Sequence, residues 1–450
     1  MRTQQENSRF LRRCFDVARL ANSVSTSPNP AVGAVIVAHE QQRIIGEGFT
    51  QPFGGNHGEV MAVKSVKISD RILLPLSTMY VSLEPCFHFG KTLPCVNLVL
   101  KEKISKVVIV HLDPNPLVSG KSETKLRENN VNVQVLDTFF NPNNSLIRQN
   151  TQNSPNTDLF QDYLEAVSPS EKRLIENGKA ATLVPFFTNM TKKRPYIILK
   201  WAESADGFMS KKNETTPISN AFSKRLVHKW RSEVDAIMVG TATAALDNPE
   251  LTNRLYYGKT PVRIVLDKYL RLSKSLKIFD GAVKTLVFSE LKSVNNDGMT
   301  SSHPVIKHLD TENTEGSLGE LEIKNLKLNE EITVDSSKNK GNTEGCLGEL
   351  KIKNVEHHFI PFDDNVLDTI LEKLLAQKIG ILFVEGGEQL LSSFIKRGLW
   401  DEARVFTASR TLDEGIAAPK LLKANLQQTV QIDDDTLRFY VQATSVAASL

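Results

Sequence analysis

Cysteine is scarce in this chain. Cys14, Cys86, Cys95 and Cys346 are the only four in 450 residues, too few and too scattered for a disulfide framework. A reducing, cytoplasmic setting is therefore expected, and in it the closest pair, Cys86 and Cys95, reads as metal ligands. Long apolar runs are also lacking. Residues 31–38 form one of the longest, far short of the ~18 needed to cross a bilayer. The stretch Met1 to Arg13 is polar and charged and has no signal-peptide core, so no membrane partner is expected. Neither sign of charge dominates: 55 Lys and Arg face 52 Asp and Glu, a net of +3 without a basic arm or stripe. That balance gives nucleic-acid binding no support. No Gly-x-Gly-x-x-Gly follows a strand-like run, so a Rossmann dinucleotide site is not indicated. Finally, no Phe, Trp or Tyr occurs between Leu291 and Val355, which leaves that segment little with which to offset its ordering entropy.

What is present suggests two domains, since 450 residues exceed one ordinary domain. Leu11, Cys14, Phe15, Ala18 and Ala21 share one helical face. The turn Ser27-Pro28-Asn29-Pro30 precedes an apolar strand at 31–37. Helices are expected from about His57 and Cys95, and strands at 79–83 and 107–110. This alternation describes a layered α/β domain over 1–148. Residues 149–183, rich in Asn, Gln and Ser, read as a linker with short helices near 159–167 and 171–176. A second domain over 184–450 has strands expected at 196–201, 236–239, 262–266, 286–288, 381–384 and 403–407. Within it, 313–325 is nearly repeated as 342–354. Two copies are too few for a solenoid, so the aromatic-free stretch 291–355 reads as a disordered surface insert carrying a tolerated duplication.

The first domain carries a chemical constellation. His57-Gly58-Glu59 opens a helix, Pro85-Cys86 follows, and Pro94-Cys95 comes next. A hydrolytic deaminase needs one imidazole and two thiolates to hold zinc with a position left open for water. It also needs a carboxylate that is not a ligand, to carry the proton to the departing amine. The usual Pro-Cys-x-x-Cys is stretched here, with eight residues between the cysteines. Singly, a His or a Cys is an ordinary core or surface residue. In this order, each beside a helix start, they read as a zinc site. A purely structural zinc would need a fourth protein ligand, for which His88 is the obvious candidate.

Four segments in sequence, Ser27-Pro-Asn-Pro-Ala-Val-Gly33, Gly54-Gly-Asn-His-Gly-Glu59, Leu83-Glu-Pro-Cys-Phe-His-Phe-Gly-Lys-Thr-Leu-Pro-Cys95 and Asp113-Pro-Asn-Pro-Leu-Val-Ser-Gly-Lys121, together resemble the bifunctional riboflavin-biosynthesis deaminase–reductases of bacteria. In that family the wider cysteine spacing is normal. The resemblance implies a cytidine-deaminase-like three-layer α/β/α domain with zinc on His57, Cys86 and Cys95, and Glu59 as proton shuttle. It also implies substrate contacts from Asn29, His88 and Lys91, the last a cation suited to a phosphorylated pyrimidine. Departures from the family pattern are Gly58 for the usual Ala, Thr50 for a substrate-touching His, and Phe87 and Leu93 for the more common Ser and Pro. None removes a ligand or the shuttle.

The second domain is weaker when read alone. Val384-Glu-Gly-Gly387 is a strand ending in a glycine turn, and many tight turns look alike. The blocks at 194–207, 230–243, 245–254 and 382–387 are similar to the family's reductase half, which implies a dihydrofolate-reductase-like α/β fold binding NADPH. By that likeness Glu203, Thr243, Asp247 and Gly387 line the cofactor, Arg231, Leu251, Arg254 and Glu385 hold the sugar phosphate, and Lys200 sits near the hydride-transfer centre. Lys200 and Asp206 as surface charges, Arg231 on a solvated helix face and 247–249 as an ordinary turn are the plain alternatives. The reaction implied is zinc-dependent deamination of a diaminopyrimidinone ribosylamine 5′-phosphate, then NADPH-dependent reduction of ribosyl to ribityl by a cytoplasmic homo-oligomer. A nucleoside or nucleic-acid deaminase, or a paralogue with one inactive domain, are the competing readings.

Overall fold

The computed structural model describes residues 2–21, 26–87, 93–115, 118–136, 182–212, 214, 216–290 and 352–443. His88, Lys91, Cys346, the helices expected at 159–167 and 171–176, and residues 291–351 of the insert expected over 291–355 lie outside these residues; Val355, the last of that expected insert, opens a strand.

The first half runs α1 (Arg2–Leu20), β1 (Gly33–Ala38), β2 (Arg43–Phe49), α2 (Gly58–Ser65), β3 (Ser77–Leu83), α3 (Cys95–Lys101), β4 (Lys106–His111), α4 (Lys121–Glu128) and β5 (Asn132–Val135). Its sheet has the order β2-β1-β3-β4-β5, with β1 antiparallel to both neighbours and β3, β4 and β5 parallel. Every residue of β1 and β3 is buried. The period of two explains how: Ala34, Ile36 and Ala38 enter one core cluster, while Val35 and Val37 enter the other with Phe10, Leu11 and Phe15 of α1. A strand covered on both faces makes this the three-layer domain expected.

Strand β2 was not expected, because Gly46 and Gly48 break its apolar pattern. Those glycines let α2 lie directly on the strand: a Cβ on Gly48 would stand 2.3 Å from the Ala62 nitrogen. Gly33 does the same for α1, since a Cβ there would stand 2.1 Å from the Cys14 carbonyl oxygen.

The second half begins with α5 (Val184–Lys192) and β6 (Tyr196–Glu203), followed by β7 (Phe208–Ser210), α6 (Ala221–Glu233), β8 (Ala236–Gly240), α7 (Thr241–Asp247), β9 (Val262–Leu266) and β10 (Thr285–Glu290). After the insert come β11 (Val355–Ile360), α8 (Val366–Ala376), β12 (Ile381–Val384), α9 (Glu388–Lys396), β13 (Glu402–Thr407), β14 (Ile416–Ala417), β15 (Ala424–Ile432) and β16 (Asp435–Gln442). Nine strands form one sheet in the order β11-β10-β9-β8-β12-β6-β13-β16-β15. It is parallel from β11 to β13, and β16 and β15 close it as an antiparallel edge. Ile197, Leu199 and Trp201 feed one core cluster, and Tyr196 and Ile198 the other. The six strands expected in this half are all present; β7, β11, β14, β15 and β16 were not expected, and β15 gave no apolar signal because it is mostly exposed and polar.

Gly33→Ala should lower the melting temperature by an amount equivalent to about 1–3 kcal/mol, because the intruding methyl meets backbone and not a yielding side chain. An unchanged melting curve would mean that α1 can retreat from β1 without cost.

Candidate active sites

His57 is the cap of α2, with extended backbone at φ −75° and ψ 164°, and Cys95 is the first residue of α3. Cys86 follows β3 in a loop fastened to α3, where the Val96 amide donates to the Cys86 carbonyl at 3.3 Å and the Cys95 amide to Cys86 Sγ at 3.2 Å. Two helix starts and one strand end thereby meet at a point. His57 Nδ1 lies 3.5 Å from Cys86 Sγ and 3.4 Å from Cys95 Sγ, and one ligand atom from each of the three falls within 4.8 Å of the others. Ligands 2.0–2.3 Å from a shared tetrahedral centre stand roughly 3.5 Å apart, so these residues fit zinc with one position left open. The hydrogen bond from Cys95, and after it His57, push the Cys86 thiol down against burial, and the Cys95 thiol is pushed up by its bond to Cys86 and by burial. A thiolate is thus favoured at the centre before any metal binds.

Glu59, in the first turn of α2, is 3% exposed. Burial first, and the Cys86 charge second, push its carboxyl up to about 7. A group that holds and releases a proton near neutrality is suited to general acid–base work. His57, Glu59 and Cys86 line a cavity of 380 Å³ together with Asn29, Thr50, Phe53, Phe186 and Met190. Thr50, where the resemblance leads one to expect His, is tied to the Val32 backbone: its hydroxyl accepts from the Val32 amide at 3.1 Å. Gly58 proves to be more than a weak helix residue, for a Cβ there would stand 2.8 Å from the Val32 carbonyl oxygen. Phe87 lies under the Lys125 ammonium at 5.3 Å and Leu93 is exposed.

One residue of this site was overlooked in the sequence. The buried Glu84 carboxylate accepts from the amides of Asp113, Gly120 and Ser122 at 3.2, 3.0 and 3.0 Å. It fastens the loop bearing Asp113 and Asn115 to the cavity wall. Burial raises its pKa, and the three amides oppose that rise. Its place beside Pro85-Cys86 was the available signal.

The second half holds a larger cavity of 1380 Å³, lined by Lys200, Arg231, Thr243, Asp247, Leu251, Arg254, Glu385 and Gly387 among others. Glu203 is not on that wall; its carboxylate accepts from Trp201 Nε1 at 2.8 Å and from the Thr407 hydroxyl at 3.3 Å. Arg231 is no solvated helix charge. It donates from Nε and Nη2 to the two Glu385 oxygens at 2.8 and 3.0 Å, and from Nη1 to the Thr252 carbonyl at 2.9 Å. Lys200 Nζ stands 3.7 Å from Glu385. Burial alone would raise the Glu385 carboxyl, but Arg231 and Lys200 outweigh it and hold it at about 2. Lys200 is shifted down by burial.

Arg254 is different: its side chain is 55% exposed, with Glu250 at 3.3 Å. Leu251 takes a positive φ of 52° while its side chain is buried in the core, so what it offers a ligand is backbone. Gly387 caps α9, and a Cβ on it would stand 3.1 Å from the Thr243 hydroxyl. His228, one turn before Arg231, also lines this cavity and was overlooked. Its Nδ1 is buried without a hydrogen-bond partner among the described residues, and burial, then Arg231, pushes its pKa down to about 4. Asp206 is the surface residue it looked to be, accepting from the amides of Leu412 and Asp413.

Comparison with known proteins follows the same division. The profile described as the cytidine and deoxycytidylate deaminase zinc-binding region matches residues 4–111. The profile described as the RibD C-terminal domain matches 195–328 and 344–438. The riboflavin biosynthesis protein RibD of Aquifex aeolicus is 30% identical over 409 residues, covering 90% of this chain and 88% of that protein. RibD of Actinobacillus pleuropneumoniae is 35% identical over 247 residues, 55% of this chain and 54% of the relative. A solved structure from Thermotoga maritima, a diaminohydroxyphosphoribosylaminopyrimidine deaminase/5-amino-6-(5-phosphoribosylamino)uracil reductase, has a TM-score of 0.69 at 25% identity and covers 98% of this chain and 100% of that one. Acinetobacter baumannii RibD shares the fold, with a TM-score of 0.69 at 22% identity, over 98% of this chain and 100% of that chain.

Glu385→Gln should destabilise the second half by about 3 kcal/mol, toward the low end for a broken buried pair because water in the cavity can reach Arg231 and Lys200. Thermal melting checks this. A variant as stable as the parent would show that the two cations do not depend on Glu385.

Proposed function

The chain belongs to the RibD family of bifunctional riboflavin-biosynthesis deaminase–reductases, and from that premise we propose which residues perform its two reactions. It is a two-activity enzyme, with a zinc-dependent deaminase in its first half and a reductase in its second. The substrates we assign are those in the Thermotoga protein's description, a phosphorylated diaminopyrimidine and then its deaminated product. The observation that carries the assignment is the meeting of His57, Cys86 and Cys95 beside a buried, protonatable Glu59.

His57, Cys86 and Cys95 hold the zinc. Bound there, zinc supplies the Lewis acidity that makes water nucleophilic near neutral pH. Glu59 takes up the proton that water loses and hands it to the departing amine nitrogen; its burial keeps it a carboxyl that can do both near pH 7. Asn29, on the same cavity wall, presents an amide to the pyrimidine edge. His88 and Lys91 complete the substrate contacts in this assignment.

The 1380 Å³ of the second cavity exceed what one small ligand needs, which suits a dinucleotide beside a sugar phosphate. NADPH is the cofactor assigned to it and supplies the hydride. Thr243, Asp247 and the amides about Gly387 at the start of α9 contact the cofactor. Arg231 is already neutralised by Glu385, so its part is to fix that carboxylate toward the substrate's polar groups. Arg254 keeps an accessible guanidinium and binds the phosphate, with the Leu251 backbone beside it. Lys200 sits with Glu385 near the reacting sugar. The reducing cytosol belongs to this proposal too, as the setting in which Cys86 and Cys95 stay available to hold zinc.

Glu59→Gln should keep its zinc and lose about 10²–10⁴ in deamination rate. Ammonia release measured beside metal content decides it; activity within a few-fold of the parent would assign the proton to another group. Arg254→Ala should raise the reductase KM for the phosphorylated intermediate by about 10–100-fold and leave the NADPH KM nearly unchanged. An equal loss on a dephosphorylated analogue would show that Arg254 does not bind phosphate.

A further inference from the structure

The deaminase cavity is not built from the first half alone. Phe186 and Met190, two of its wall residues, lie on α5, beyond the first domain's last described strand. The start of α5 is sunk in the first half: Leu183 is fully buried in its core cluster, Phe186 and Phe187 pack against that cluster, and Phe187 meets His111 edge-on at 6.2 Å. Its end is fastened to the second half. Asn189 Nδ2 donates to the carbonyls of Arg194 and Gly380 at 2.9 Å each, and Lys192 pairs with Asp401 at 2.7 Å. Asp401 in turn takes a two-pronged contact from Arg194 at 2.6 and 2.9 Å. The helix is thereby packed on one half and bonded to the other.

Two other parts of the cavity wall end on the same place. Ser27, next to the wall residues Pro28 and Asn29, donates to Asp235 Oδ2 at 2.6 Å, the oxygen that also receives the Gly380 and Ile381 amides at 3.0 and 2.9 Å. Phe53, also on the wall, lies under the Lys378 ammonium at 3.9 Å. Gly380 is where these ties meet: a Cβ there would stand 2.7 Å from Asn189 Oδ1 and 2.9 Å from Ser27 Oγ. No side chain larger than hydrogen fits between the two ties without moving them.

Within the assignment of this cavity to deamination, we infer that Phe186 and Met190 are substrate-positioning residues of the deaminase supplied by α5, the helix that joins the two halves, held in register by the ties to the second half at Asp235 and Gly380. Their chemistry suits the role. A phenyl ring and a thioether give a flat heteroaromatic ring a polarisable surface without competing for its hydrogen bonds. Both side chains are only partly buried and face the cavity, Phe186 while also packed against the first core cluster. They make no proton transfer and hold no metal, so they act on binding and orientation.

The test uses the full-length enzyme loaded with zinc. Phe186→Ala and Met190→Ala should each raise the deamination KM about tenfold, with kcat changed much less, zinc content unchanged and both reductase constants unchanged. Phe186→Leu should recover most of the loss. Ser27→Ala, which removes one tie without touching the wall, should raise the deamination KM by a smaller factor. Unchanged deamination KM in both alanine variants, or a parallel fall in both activities with a lower melting temperature, overturns the inference. The parent enzyme's own ammonia release separates this from the wider assignment: a parent that does not deaminate refutes the assignment, whereas an active parent with indifferent variants refutes the role of α5 alone.

Discussion

The distances of 3.4 and 3.5 Å from one imidazole nitrogen to two sulfurs set the terms for the first half of this molecule. Such closeness requires α2 and α3 to begin at the same place, and each helix start is fixed by backbone contacts that tolerate little change. Glycines at 48 and 58 bring α2 against β2 and against the Val32 carbonyl. The loop after β3 is stitched to α3 through Cys86 itself. Glu84, spending its carboxylate on three amides, anchors the opposite loop. The chemistry then follows from burial, for a carboxyl sealed beside a thiolate titrates near 7 and can work in both directions.

The second half solves a different electrostatic problem. Three ionised groups, Lys200, Arg231 and Glu385, share a buried corner of a large cavity, and each is tolerable there only because of the others. That arrangement leaves Arg254 as the more accessible cation of the substrate set. The two halves are also mechanically joined, since α5 is packed on one core and hydrogen-bonded to the sheet of the other.

Much of this was legible in the sequence for identifiable reasons. Buried parallel strands are largely apolar runs, so 381–384 could be read to the residue, and so could 262–266, where the buried Arg263 is the one polar interruption. Two of the metal trio stood out because His57 and Cys95 sit at helix starts; Cys86 lies at a strand end, marked by the Pro before it. Strand β2 was hidden by glycines whose purpose is a contact with α2, which lies outside any local pattern. The edge hairpin β15–β16 was hidden because an exposed strand need not be apolar. Helix α5 lies just past the linker expected over 149–183 and was not expected, since the second domain's first expected element was the strand at 196–201; its Phe-Phe pair packs against the first core. Pairings remote in sequence, such as Arg231 with Glu385, leave no trace in spacing at all, and Glu203 looked like a cavity residue until Trp201 and Thr407 were seen to occupy its oxygens.

The account stands on one metal centre serving one of two separable reactions, and Cys86→Ser addresses both points at once. Purified parent enzyme should hold about one zinc per chain. The variant should lose that zinc and with it ammonia release, while still reducing the separately supplied deaminated intermediate with NADPH at close to the parental rate. Full zinc occupancy in the variant, or undiminished ammonia release without metal, would contradict it.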